Sequence, residues 1–130
     1  MPISGTGLSL SINEVTRHLG LYSVARFNGS DRVAAQQVIR PSQDLNVIAA
    51  ENDWHISLRS DPVIGDTCVD LEPDETVVIV VLEGEVKVAG RTLITHDAWR
   101  QAGPGALRIS STQGRIAVAR IRPTKEAHVV

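Results

Sequence analysis

Residues 75–88 constrain the fold of this chain more than any other segment. An unbroken run of six apolar residues at 77–82 leads into Glu83 and Gly84, and a strand that alternates apolar and charged residues follows at 85–88. Continuous apolar runs are typical of strands covered on both faces, whereas alternation is typical of strands covered on one face. The segment predicts a β-hairpin with one buried strand and one half-exposed strand.

The length and the composition favour one compact β domain. A chain of 130 residues has the commonest size of a single domain, and 42% of its residues are hydrophobic. It contains only two Trp, one Tyr and one Phe, so Val, Ile, Leu and Ala must fill the core. Val and Ile are stiff residues that suit pleated sheets. We expect a single domain over residues 1–130.

Turn residues divide the chain after about residue 30 into short apolar or alternating segments. Such a rhythm, without a helical pattern, is typical of a β-sandwich or barrel, and a jelly roll fits it best. We assign the jelly roll to residues 31–123 and a short tail to residues 124–130. The predicted strands lie near residues 32–40, 45–50, 54–59, 67–71, 76–82, 85–89, 91–95, 106–111 and 115–122.

The N-terminal segment, residues 1–30, carries a different pattern. Ser11 is a suitable N-cap residue, Ile12, Val15 and Leu19 follow at helical spacing, and Gly20 is a suitable residue after a helix end. This pattern predicts a short N-terminal helix.

Charge and cysteine content exclude several classes of protein. The net charge is −2, with 13 basic and 15 acidic residues mixed along the sequence, so no basic stripe is available for nucleic acid. Cys68 is the single cysteine and has no partner for an internal disulfide. The sequence shows neither a signal peptide nor an apolar span long enough for a membrane. We expect a cytoplasmic protein that binds neither nucleic acid nor membrane.

Residues 78–99 resemble the RmlC-like cupin superfamily. The turn at 82–85, Leu-Glu-Gly-Glu, and the later pair Asp97 and Ala98 are similar to two corners of the cupin motif. His96 stands where a cupin usually has glycine, so this turn departs from the pattern. The resemblance implies a double-stranded β-helix.

A second resemblance, over about residues 27–122, is to the HutD/Ves family of cupins. It rests on Phe-Asn-Gly-Ser-Asp at 27–31 and Gln-Asp-Leu-Asn-Val-Ile at 43–48, which look like part of the second cupin half of that family. Known members carry two cupin barrels in one chain, are associated with histidine utilisation or have no known role, and have no established metal site. The resemblance implies half of a two-barrel protein, for which a homodimer would restore the missing partner surface.

Metal-dependent cupins resemble one another in a His-x-His cluster, a following glutamate and a later histidine. The matching stretch here, residues 71–76, has carboxylates but no imidazole, and the late histidine position is filled by an apolar residue. The four histidines, His18, His55, His96 and His128, have no ligand spacing. We therefore expect neither a bound metal nor another cofactor.

Two sets of polar residues are candidates for a binding or catalytic site. His55 and Arg59 lie on one face of the strand at 54–59 and could line a pocket. Arg59 would bind a carboxylate through its planar guanidinium, and Asn46 of a neighbouring strand would complete the pocket. The parity of the strand leaves open whether this face meets solvent or a polar cavity. His96 beside Asp97 could act as a general base, although adjacent strand residues point to opposite faces. Trp54 and Trp99 are candidate stacking surfaces, with a place in the core as the alternative.

These observations support three hypotheses about function. The preferred one is a metal-free, homodimeric cupin that binds a small polar or anionic metabolite in its barrel. The second is a cofactor-independent isomerase or epimerase that uses His55 or His96 as its base. The third is a non-catalytic assembly or regulatory module whose barrel is a scaffold.

Overall fold

The computed structural model describes residues 1–36 and 41–124, and these residues form nine β-strands and no helix. The chain divides into two compact units, Met1–Asn46 and Val47–Val130. Each unit is a β structure by itself, which confirms the all-β prediction. The assignment of residues 1–130 to a single domain stays a prediction.

The first unit contains a three-stranded antiparallel sheet. Its strands are β1 (Leu8–Ile12), β2 (Val15–Leu19) and β3 (Val33–Gln36), and β1 lies between the other two. Leu19 is the residue of β2 that is buried.

The prediction of an N-terminal helix is wrong, because residues 8–19 form the β1–β2 hairpin instead. Ser11, predicted as the helix cap, pairs with Thr16. Asn13 and Glu14 connect the strands with positive φ angles of 48° and 69°. Two residues with positive φ make the tight turn whose twist matches a hairpin, and Asn adopts that backbone readily. The helical spacing of the apolar residues is thus coincidental.

A hydrogen-bonded turn supports this hairpin. The Asn13 side-chain amide donates to Asp31 Oδ1 over 3.1 Å, and the backbone amide of Asn28 donates to Asp31 Oδ2 over 2.8 Å. The backbone amide of Arg32 in turn donates to Asn13 Oδ1 over 2.9 Å. The hydrogen bond from Asn28, and then that from Asn13, lowers the pKa of Asp31.

The second unit is built around two long strands that pair with each other. They are β4 (Trp54–Leu71) and β9 (Gly105–Pro123), which run antiparallel over almost their whole length. The register shifts between Val63 and Gly65, where Gly65 has a φ of +81°. A bulge increases the local twist of a strand, so both strands can leave one layer there and enter another.

Four shorter strands complete the two layers: β5 (Thr76–Glu83), β6 (Val86–Val88), β7 (Arg91–Leu93) and β8 (Ala98–Ala102). The first layer has the order β4, β9, β5 and β8 and uses residues 54–63 of β4 and 114–123 of β9. The second layer has the order β4, β9, β6 and β7 and uses residues 65–71 of β4 and 105–111 of β9. This curled pair of layers fits a jelly roll.

The predicted hairpin of residues 75–88 is wrong in its pairing, although both strands exist. Strands β5 and β6 pair with successive parts of β9 and not with each other, so Glu83 and Gly84 carry the chain from the first layer to the second. Gly84 has a φ of +77°, and a Cβ there would come within 2.5 Å of the Gln113 carbonyl oxygen. Glycine is therefore required at this corner.

The core of the second unit lies between its two layers. Val77, Ile79 and Val81 of β5 are each 0% exposed. The alternation predicted for β6 is confirmed, because Val86 and Val88 are buried and Lys87 is exposed. The remaining buried members of the core cluster are Val63, Val69, Leu71, Leu107, Ile109, Ile116 and Val118.

Other boundaries differ from the predicted ones. Residues 45–50 form no strand, because the backbone there lacks the partner strand that their apolar pattern suggested. The predicted strands 54–59 and 67–71 are the two halves of β4, and 106–111 and 115–122 are those of β9. Strand β8 was not predicted. Residues 37–40 of the first predicted strand and 125–130 of the predicted tail lie outside the described residues.

Candidate functional site

The register of the first layer decides which side chains share its inner face. Directly opposed residues of an antiparallel pair point to the same side of a sheet. Arg59 is opposite Val118, and Val118 is opposite Ile79. Because Val118 and Ile79 belong to the buried core, the face that carries Arg59 is the inner face. Of the two orientations that the sequence left open, the polar side of β4 therefore faces inward.

Four polar residues follow one another on this inner face of β4. They are His55, Ser57, Arg59 and Asp61, and we call them the polar column. Alternate residues of a strand are about 7 Å apart, so one small ligand can touch two neighbouring members. The first three are exposed and Asp61 is half-buried, because β4 is an edge strand of the layer. The column is thus accessible although it shares a face with the core.

Strand β9 adds two arginines to the same face. Arg122 is opposite His55, and Arg120 is opposite Ser57. Arg122 is exposed, and within residues 1–36 and 41–124 the side chains of Arg122 and His55 form no hydrogen bond or ion pair. The charge of Arg122 and the hydrogen-bonding groups of both side chains are available to a ligand.

Arg120, in contrast, is fully engaged in the structure. Its Nη1 donates to Glu75 Oε1 over 2.7 Å and to the carbonyl oxygen of Asp70 over 2.9 Å. The side chains of Arg120 and Glu75 are 26% and 8% exposed. The Glu72 amide also donates to Glu75 Oε1, over 3.4 Å. A buried carboxylate needs such partners, so this pair fixes the β4–β5 turn against β9.

The Arg59 guanidinium has a weaker partner. Its Nε donates to Asp61 Oδ2 over 2.7 Å, and the two side chains are 58% and 42% exposed. Exposed ion pairs contribute about 0 to 1 kcal/mol, so solvent or a ligand can replace this contact. The two Nη groups of Arg59 donate to no residue of the described chain.

Trp99 and Gln101 of β8 lie on the same inner face, opposite Ile79 and Val77. Trp99 is half-buried against the core cluster, and its Nε1 donates to Gln101 Oε1 over 3.2 Å. Along the layer Trp99 is three strands, or about 14 Å, from Arg59. It forms a wall of the interior, and its role in stacking stays a prediction.

Trp54 does not lie on this face. Trp54 is 43% exposed and alternates with His55, so it points to the outer face of the layer. Asn46 is exposed and ends the first unit. Their predicted roles in ligand binding have no support from the register of β4.

His96 lies in the turn that precedes β8. It has a φ of +73°, a left-handed conformation that glycine adopts most readily, and its backbone amide donates to the Val81 carbonyl over 2.7 Å. Asp97 Oδ2 accepts a hydrogen bond from the Ile94 amide over 3.0 Å. The Asp97 carboxylate therefore stabilises the turn instead of orienting the His96 imidazole.

Each unit has a surface pocket. One, of about 470 Å³, belongs to the first unit and is lined by residues of the β1–β2 turn and of 31–34. The other, of about 290 Å³, lies at the bend of β4 and β9 and is lined by Pro62, Ile64, Glu83, Gln113, Gly114 and Arg115. Arg115 is tied there to Glu83 over 3.4 Å and to Ser60 Oγ over 2.9 Å.

Sequence reasoning missed Arg120, Arg122 and Glu75. Arg120 follows Ile116 and Val118 at steps of two residues, so it occupies a position on the core side of an otherwise apolar strand. A charged residue at such a position needs a buried partner. That signal points to Arg120, whereas Glu75 follows only from the three-dimensional contact.

Two features are absent from the described residues. No group of three or more His, Cys, Asp or Glu residues there is arranged to hold a metal ion. The same part of the chain has no helix with the length and hydropathy of a membrane span.

Comparison with known proteins gives consistent results. The HutD family model matches residues 1–118. HutD from Pseudomonas fluorescens SBW25, in a formate condition, superposes with a TM-score of 0.79 at 24% identity, covering 96% of this chain and 67% of that one. A conserved protein of unknown function from Pseudomonas aeruginosa PAO1 superposes with a TM-score of 0.80 at 16% identity, covering 95% and 70%. No curated protein matches.

Proposed function

The chain belongs to the HutD family, and from this premise we propose that its second unit is a metal-free cupin that binds a small anionic metabolite. The polar column and Arg122 form the binding site, and a carboxylate is the group that they recognise. The observation that carries the proposal is the register of β4 with β9, by which His55, Arg59 and Arg122 share the inner face with the buried apolar core.

The choice of a carboxylate follows from the available cations. Guanidinium groups bind carboxylates with two parallel hydrogen bonds, which gives both affinity and orientation. Arg59 presents two Nη groups, and Arg122 is exposed two rows farther along the inner face, beside His55. Arg120 is not one of the available cations, because its charge is neutralised by Glu75. Its role is to fix the β4–β5 turn against β9.

The neighbouring apolar surface favours a metabolite that also has a nonpolar part. Val118 lies directly beside Arg59 on the inner face and is buried. A ligand with a short carbon chain would cover this surface while its carboxylate meets the arginines. HutD from Pseudomonas fluorescens was studied in a formate condition, which makes formate a suitable probe beside the longer acetate and butyrate.

The test is a titration of the ¹⁵N-labelled protein with formate, acetate and butyrate at constant ionic strength, followed by NMR. We expect shifts at residues 55–61 and 118–122, and we expect Arg59→Gln and Arg122→Gln each to weaken binding about tenfold, the loss of a charged hydrogen bond. Arg100→Gln is the matched control, since Arg100 is exposed on the outer face. Equal affinities for all four proteins would contradict the proposal.

A second candidate function uses the same site. His55 is exposed on the inner face opposite Arg122, so an imidazole base would stand beside a group that binds a carboxylate. That arrangement suits a cofactor-independent isomerase or epimerase that removes a proton next to a carboxylate. Exchange of such a proton with D₂O, detected by NMR, should occur with the wild type and stop with His55→Gln. Exchange that persists in this variant excludes His55 as the base.

We also propose a homodimer. In the described residues β4 pairs on one side only, with β9, so its other edge offers backbone hydrogen bonds to a second copy. Light scattering after size exclusion measures the mass directly. A mass near 28 kDa, twice the 14.0 kDa of the chain, supports the dimer, and a mass near 14 kDa contradicts it.

A further inference from the structure

We propose that Asp61 determines the charge selectivity of the inner-face site, because its negative charge weakens the binding of dianions more than that of singly charged carboxylates. This inference rests on the proposed function, because it concerns the same site. Asp61 was not among the candidate site residues that the sequence predicted.

The contact geometry places a negative charge behind the guanidinium that a ligand must meet. Asp61 and Arg59 lie two residues apart on one face of β4, and Asp61 Oδ2 accepts the hydrogen bond from Arg59 Nε. The carboxylate thus occupies one edge of the guanidinium, and the end with the two Nη groups stays open. An anion bound to that end shares Arg59 with Asp61.

Burial separates this pair from the other arginine pairs of the unit. The Glu75 side chain is 8% exposed, so its negative charge is locked to Arg120. Arg115 and Glu83 lie beside the pocket at the bend. Asp61 is the carboxylate of the polar column, and it is 42% exposed. A ligand on Arg59 therefore also meets the negative charge of Asp61, weakened by the screening of water.

The repulsion from Asp61 scales with the charge of the ligand. Two unit charges about 6 Å apart in a water-like dielectric repel enough to lower affinity about threefold, and a dianion suffers the same factor twice, about tenfold in total. Arg122 attracts either kind of anion, and it lies farther along the face from Asp61. The site consequently prefers a monoanion by about threefold over what its cations alone would set.

The decisive experiment compares acetate with sulfate, a dianion throughout the neutral range, on the wild type and on Asp61→Asn. Asparagine keeps an oxygen that can accept the hydrogen bond from Arg59 Nε, but it removes the charge. We expect acetate affinity to rise about threefold and sulfate affinity about tenfold in the variant. Asp66→Asn is the control, because Asp66 is exposed on the same strand beyond the bulge, opposite Ser110; it should change neither affinity.

The outcomes separate the two levels of the proposal. If the wild type binds acetate and Asp61→Asn leaves the ratio of acetate to sulfate affinity unchanged, the role of Asp61 is wrong while the carboxylate site stands. A variant that binds acetate more weakly likewise contradicts it, since Asp61 would then serve only to hold Arg59. If neither protein binds acetate, the proposed function fails and the selectivity with it. Thermal unfolding of each variant verifies that it is folded.

Discussion

The same inner face of the first layer carries two columns of opposite character. Val77, Ile79 and Val81 of β5 form an apolar column that is 0% exposed, whereas the polar column of β4 is open to solvent along most of its length. Both columns belong to one continuous sheet, and Arg59 and Ile79 lie in one row with Val118 between them. The difference is position, because β5 lies between two strands and β4 lies at the edge.

This comparison teaches that the edge of the layer can carry polar chemistry without loss of the core. A charged side chain in the middle of the face needs a buried partner, as Arg120 has in Glu75. At the edge, the charge reaches water directly. Each of the following changes tests whether the two columns differ in stability and in binding as their positions imply.

The largest effect is expected from the apolar column. Ile79→Ala removes a fully buried side chain and leaves a cavity, so it should lower the free energy of unfolding by about 3 kcal/mol. Urea unfolding measures this change. Ile48→Ala is the matched control, because Ile48 is 90% exposed, and it should cost less than about 0.5 kcal/mol. Similar losses in the two variants would show that β5 is not at the centre of the core.

An intermediate effect on stability is expected from the buried ion pair between Arg120, on the inner face, and Glu75. Glu75→Gln weakens the hydrogen bonds that Arg120 and the Glu72 amide donate, and we expect a loss of about 2 kcal/mol in urea unfolding. Glu83→Gln changes a comparable pair with Arg115 in which the carboxylate is 56% exposed, and it should cost less than about 1 kcal/mol. A larger loss of stability in Glu83→Gln than in Glu75→Gln would contradict the distinction between buried and exposed charges.

The smallest effect on stability is expected from the polar column itself. Arg59→Gln removes an exposed ion pair, so the free energy of unfolding should change by less than about 0.5 kcal/mol while carboxylate binding weakens. The pair of measurements, urea unfolding and NMR titration, separates the two roles. A loss of several kcal/mol would mean that Arg59 belongs to the core and not to a binding site.

The sequence predicted the parts of the fold that depend on local pattern. The apolar run at 77–82 predicted β5, and the alternation at 85–88 predicted β6, because burial imposes these patterns on any strand. The resemblance to the HutD family, which rested on residues 27–31 and 43–48, is confirmed as well. Pairing was not predictable, since β5 and β6 both lie beside the distant β9 and their closeness in sequence suggested a hairpin.

The sequence was less informative for the N-terminal unit and for the site. Ile12, Val15 and Leu19 satisfy helical spacing, but the readiness of Asn13 to adopt positive φ favours a turn. His55 and Arg59 were predicted to share a face, while the direction of that face depended on the register with β9. Arg122 was not predicted because an exposed arginine carries no local signal. Cytoplasmic location and the absence of a cofactor stay predictions.

The register between β4 and β9 is the claim on which the binding site depends. A slip of one residue would turn His55, Ser57 and Arg59 outward and bring the alternate side of β4 to the core. NMR measurement of short interproton distances between the two strands tests it most directly. We predict main-chain contacts that pair Arg59 with Val118 and Leu58 with Ala119; contacts that pair Arg59 with Ala117 or Ala119 instead would contradict the account.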